Sequence, residues 1–127
     1  MRKAMFSAPM AGRTDKQIDR VRAEAKSMLE SMGYEFVNTV FREEPEFTIE
    51  NMTARGVKNI PLHYLGYSLV NMSKCDAILF CRGWENARGC LVEHEAAKKY
   101  GILILYEDAL PIAKPEPEPE TPDETQE

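Results

Sequence analysis

The order of apolar runs along this 127-residue chain predicts an α/β fold, a parallel sheet with helices on both faces. Three observations carry that expectation. Short β-prone runs alternate with stretches of helical periodicity in the order β-α-β-α-β-α-β, and the connections are short. One run, residues 77–81 (AILFC), is apolar at every position, as suits a strand buried on both faces. Strands that follow one another through helices pair in parallel with right-handed crossovers.

Each element has its own local reason. Residues 3–8 form a β-prone run that ends in the Pro9 to Gly12 segment. Thr14 with Gln17 three residues on is a capping box, so a helix starts there. Ile18, Val21, Ala25, Met28, Leu29 and Met32 then recur at helical spacing, and Gly33 supplies the stop. Residues 34–39 (YEFVNT) predict a second strand. Residues 41–58 are mostly polar around Pro45 and Gly56 and predict a long loop, of the kind that serves as a lid, a partner contact or a disordered excursion. Helical patterning resumes over 59–74, where Pro61 fits only in the first turn. After the apolar strand, 83–89 (GWENARG) punctuates before a third helix over 90–100, and 102–106 (ILILY) closes the sheet.

Charge divides the chain in two. Residues 113–127 hold six acidic groups against one lysine, which accounts for the whole formal charge of −5, and they carry Pro115, Pro117, Pro119 and Pro122. Such a segment cannot bury enough surface to offset its ordering entropy, so it is expected to be a disordered solubilising tail beside a domain over 1–112. That domain is charge-balanced and has no Lys/Arg block, which argues against a nucleic-acid partner. The absence of a long apolar run or a signal peptide argues against a membrane and for a cytoplasmic protein. Cys75, Cys81 and Cys90 form no CxxC pair, and His63 and His94 stand far apart, so neither disulfides nor a metal site is expected.

Ligands of open parallel sheets bind beyond the carboxyl ends of the strands, where strand order reverses. That directs attention to the loops after the first and third strands, SAPMAGRT and CRGWENARG. On the third helix, Gly89, Cys90, Glu93, Ala96, Ala97 and Tyr100 share one face, which puts the Glu93 carboxylate on the seam toward the sheet. A buried carboxylate is costly unless paired or hydrogen-bonded. Glu93 is therefore either a nucleophile or base kept ionised by a helix start near Asn86, or a boundary glutamate paired with Arg88 or a lysine. Gly83, Trp84 and Gly89 let a ligand approach the backbone against an indole wall, or form an ordinary turn with an aromatic plug. Ser7, Pro9, Met10 and Gly12 lead into a helix start that offers amides to an anion or a sugar hydroxyl. Asp76 is a loop cap or a ligand contact, and Cys90 is a core thiol.

Taken together, SAPMAG, CDAILF, GWENARGCLVEHEAA and ILILY resemble the nucleoside 2-deoxyribosyltransferase-like superfamily, in its uncharacterised, DUF4406-like small-domain branch. The resemblance spans residues 3–106. It implies a flavodoxin-like three-layer sandwich with four to five parallel strands, no cofactor, and a nucleoside or nucleotide ligand. It further implies a homodimer or higher homo-oligomer in which a neighbour helps complete each site. Glu93 matches the family's nucleophile, which attacks the anomeric carbon, releases the base and leaves a glycosyl-enzyme for water or another base to resolve. Residues 6–12, Phe6 among them, match the segment that holds the sugar, and 83–89 the turn that closes over it. Three positions depart from the pattern. Ser68 stands where these enzymes often carry an aspartate that assists the leaving base, Ala87 where Ser or Asp is common, and Ala8 in place of glycine. Loss of the leaving-group acid costs about 10² to 10⁴ in rate.

Three functions follow: an N-glycosyl hydrolase or deoxyribosyltransferase acting through Glu93; a nucleotide-binding or regulatory module without turnover; and, ranked last, cleavage of a dinucleotide such as NAD.

Overall fold

The computed structural model of the chain describes residues 1–40 and 44–110. The expected tail over 113–127 and the end of the domain lie outside the described residues. In chain order the elements are β1 (Lys3–Ser7), α1 (Asp15–Ser31), β2 (Glu35–Phe36), α2 (Ile49–Ala54), α3 (Ile60–Met72), β3 (Ala77–Phe80), α4 (Arg88–Tyr100) and β4 (Leu103–Tyr106). Short 3-10 turns occupy Pro45–Phe47, Trp84–Asn86 and Glu107–Ala109. The sheet runs β2-β1-β3-β4 and every pairing is parallel. This is the flavodoxin-like sandwich, with four strands.

Strand alternation sorts the core into two layers. Ala4, Phe6 and Ala8 of the first strand segment, with Ala77, Leu79 and Cys81 of the third, face α1 through Ala25 and Leu29. Met5, Ile78 and Phe80 face the other way and pack with Leu69 and Met72 of α3 and Ala97 of α4. The β1-to-β2 step runs to one edge and the later steps run to the other. Right-handed crossovers therefore put α1 alone on one face and α3 with α4 on the opposite face.

The predicted capping box and helix stop are present, and the structure adds a cap at Asn59. Thr14 Oγ1 accepts from Gln17 N at 3.1 Å, and Gln17 Oε1 accepts from Thr14 N at 2.9 Å. Gly33 ends the first helix with φ +89°, a conformation that favours glycine. Asn59 Oδ1 accepts from Leu62 N at 3.0 Å, with Pro61 in the first turn of α3 as the sequence requires.

Three expectations need correction. The second strand is two residues long rather than six. Beyond Val37, whose N donates to Ala4 O at 2.8 Å, Asn38 folds back on its own neighbour, its Oδ1 accepting from Val40 N at 3.1 Å. That local bond competes with the ladder and ends the strand. The predicted loop over 41–58 contains a 3-10 turn and α2, capped by Thr48 Oγ1 accepting from Asn51 N at 3.1 Å. Phe47 and Met52 are buried there against Ile60, Tyr64 and Tyr67, a small third core that tethers the segment to α3. A six-residue helix that buries only Met52 leaves too little periodicity to read. Finally, α4 starts after Ala87, which has no side-chain cap, because Asn86 belongs to the preceding 3-10 turn. No described helix is long and apolar enough to cross a membrane.

Candidate active site

Strand order reverses between β1 and β3, and the loops that leave their carboxyl ends meet there. Cys81 N donates to Ser7 O at 2.9 Å, joining the starts of the two loops. Farther out, a Cβ built on Gly83 would lie 3.3 Å from Pro9 Cγ, and Gly83 has φ +88°. Both facts favour glycine. Gly83→Ala is expected to cost about 1–2 kcal/mol for the left-handed backbone, read by denaturant unfolding. Adding Pro9→Ala should restore only the part due to the contact.

The loop after β3 is held from the far side as well. Arg82 N donates to Glu107 Oε1 at 2.9 Å, and the Arg82 guanidinium pairs with Asp108. Both acids follow β4 directly, so the loop is clipped to the end of the neighbouring strand.

Under these loops lies Glu93, in the middle of α4 and 7% exposed. Ser7, the last residue of β1, is 3% exposed, and its Oγ donates to Glu93 Oε1 at 2.5 Å. Burial pushes the Glu93 carboxyl above its ordinary pKa, while hydrogen bonds from the Ser7 and Ser68 side chains act in the opposite direction. Among the described residues no cation forms an ion pair with Glu93. Arg88 is exposed on the first turn of α4. The ordinary explanation, a boundary glutamate neutralised by Arg88 or a lysine, is thus not what holds this side chain. Desolvation is the largest influence on the carboxyl, which is harder to ionise than a free one.

The structure brings together only some of the residues singled out from sequence. Ser7, Ser68 and Glu93 converge; Pro9 and Gly83 meet at the rim; Gly89, in the first turn of α4, has open space where a Cβ would be. Phe6 does not join them. Its ring points to the α1 face and stacks on Phe36 at 6.0 Å, because neighbouring strand residues face opposite ways. Met10 packs into that same layer, and Gly12 is an exposed turn residue with φ +78°. Asp76 stands at the amino end of the sheet, away from the carboxyl-end loops, where its carboxylate accepts from Lys3 N at 2.8 Å and so caps the loop. Trp84 lies on the β4 side of α4, stacked on His94 at 4.3 Å between centroids, and His94 Nε2 is 2.7 Å from the Tyr106 hydroxyl. It is the aromatic plug of its turn. Tyr100, placed on the seam by spacing, is 84% exposed on the last turn.

Three neighbours of the site lie outside the residues that the sequence marks for it. Cys90 is buried beside Ser7, and its thiol is raised mainly by burial; Cys81 is pushed up to about 12, also by burial first. Both are core thiols, inert as nucleophiles. Arg13, half-buried in the loop after β1, sits close enough to lower both thiols and so supplies positive charge on that side of the site. Its position directly after Gly12 was the available signal. Among the described residues, no group of three or more His, Cys, Asp and Glu side chains converges as a metal site would.

No curated protein matches the sequence. A family model described as a domain of unknown function, DUF4406, matches residues 3–106. That span runs from the first residue of β1 to the last of β4 and takes in Ser7, Ser68 and Glu93. The chain belongs to the DUF4406 family.

Proposed function

We propose that the domain cleaves the N-glycosidic bond of a nucleoside or nucleotide, with Glu93 as the nucleophile. The observation that carries this reading is a buried carboxylate with no ion-pair partner among the described residues, held by the Ser7 hydroxyl at the point where strand order reverses. In this reaction a Glu93 oxygen bonds to the anomeric carbon, and the C–N bond breaks with its electron pair going to the base. Water or an incoming base then displaces the carboxylate from the sugar. The likeness to nucleoside 2-deoxyribosyltransferases supports the same assignment. The test is free-base release from a panel of ribo- and deoxyribonucleosides and their 5'-monophosphates, with and without an acceptor base. Release by wild type that Glu93→Gln abolishes supports the reading; equal release by the variant removes it.

A second reading is a nucleotide-binding module without turnover. Ser68 favours it: a serine hydroxyl close enough to lower the Glu93 pKa is too weak an acid to serve a departing base. Saturable nucleotide binding with no product across the panel selects it.

We further infer a homodimer or higher homo-oligomer. Its support is α3, which contains no charged residue and leaves Leu62 60% and Val70 55% exposed one turn either side of Gly66. Leu62→Asp with Val70→Asp is expected to reduce the mass seen by light scattering to that of one chain. A wild-type chain that already runs as a monomer removes the inference.

A further inference from the structure

Ser7 has a duty that its place in the loop does not announce. Its hydroxyl carries one proton, and the structure directs that proton to Glu93 Oε1 at 2.5 Å across the gap between β1 and α4. Both residues are buried, so water is poorly placed to substitute for the lost donor. The Ser7 backbone is fixed as well: it pairs with Phe80 in the β1–β3 register, and its carbonyl accepts from Cys81 N at 2.9 Å. The donor therefore sits on a paired strand residue, not on a loop.

We propose that Ser7 is a positioning residue that holds Oε1 of Glu93, so that Oε2 is the oxygen that attacks the anomeric carbon. This rests on the reading of Glu93 as nucleophile and deepens it. When Oε2 bonds to the sugar, the C–N electron pair leaves with the base and the carboxylate becomes an ester whose carbonyl is Oε1. An ester carbonyl is a weaker acceptor than a carboxylate, so the Ser7 bond weakens in the intermediate. In the second step the oxygen of water bonds to the anomeric carbon, the C–Oε2 bond breaks, its pair returns to Glu93, and a proton passes to solvent. The Ser7 bond strengthens again as that charge returns. Ser7 thus assists departure of the carboxylate in the second step.

Among the described residues, the groups facing Glu93 besides Ser7 are Ser68 from α3 and the Cys90 thiol one turn back on its own helix, both uncharged. A hydrogen bond to the ionised form favours that form, so removing the donor shifts the carboxyl to higher pKa. The experiment is a carbon-detected NMR titration of the Glu93 carboxyl in the free full-length chain, with Glu93→Gln assigning the resonance. It compares wild type with Ser7→Cys, which nearly keeps the volume but weakens the donor, and Ser7→Thr, which keeps the hydroxyl. The expected result is an upward move of the midpoint in Ser7→Cys and a wild-type midpoint in Ser7→Thr. An unmoved midpoint in Ser7→Cys, or equal moves in both variants, overturns the proposal. If Ser7→Cys does not fold, Ser7→Ala gives the same reading. The titration needs no turnover, so a silent base-release panel would remove the reaction and leave the brace standing. In a chain that turns over, intact-mass analysis should show more glycosyl-enzyme in Ser7→Cys at steady state, and less overturns the role in the second step.

Discussion

Glu93→Gln is expected to lower base release by about 10⁴-fold or more, in line with removal of a nucleophile elsewhere, while making the fold more stable at neutral pH. The two effects have one cause. Burial raises the Glu93 pKa above its unfolded value, so the folded chain holds that proton to higher pH. Below about pH 4, where the carboxyl is protonated in both states, the group costs nothing. As pH rises through the interval between the unfolded and folded values, the wild type loses stability, and the loss levels off above the folded value. Glutamine has no proton to lose and keeps Oε1 as an acceptor for Ser7. The gap in thermal midpoint between variant and wild type should therefore be absent near pH 4 and open toward neutrality. A gap independent of pH would mean that packing rather than ionisation separates them. Loss of function accompanied by gain of stability is the expected pairing for a side chain kept against the interests of the fold.

Leu79→Ala should produce the largest loss of stability, about 2–5 kcal/mol. Leu79 is fully buried on β3, between β1 and β4, and lies in the layer with Ala4, Phe6, Ala25 and Leu29. Its register partners, Phe6 on β1 and Leu105 on β4, are held in place by their own strands, so the cavity remains. Leu103→Ala on the edge strand β4 is the control, since Leu103 is already 48% exposed. Its cost should stay within about 0.5 kcal/mol. Denaturant midpoints at constant slope measure both. Near-equal losses would contradict the layering described for the sheet.

Much of this architecture was legible in the sequence because it is written locally. Thr14 with Gln17, Gly33, Asn59 with Pro61, and the uninterrupted AILFC run each decide their own element within a few residues. The second strand was misjudged because YEFVNT has strand composition but Asn38 prefers its own backbone to the ladder. The helix at Ile49–Ala54 was missed because only Met52 marks its buried side. For the site, helical spacing placed Glu93 on the inward seam. It could not show that the partner is Ser7, 86 residues away, since that pairing exists only once β1 and α4 are stacked. Asp76 enters the reading as a residue at the start of the third strand, and Phe6 as part of the 6–12 segment that the resemblance marks. Strand direction sends the first to the opposite end of the sheet and strand alternation sends the second to the opposite face.

Glu93 and His94 are neighbours on α4, yet one is bonded to Ser7 on β1 and the other to Tyr106 on β4. Successive residues on a helix point about 100° apart, so these two bonds grip the cylinder from two sides. A roll that relaxed one would stretch the other, and α4 is consequently keyed in rotation against two strands at once. The carboxylate inherits its aim from the sheet and not from the loops above it. Changes in residues 8–13 or 82–87 then leave the aim of the carboxylate unaltered, so the two loops can vary while its orientation stays in register.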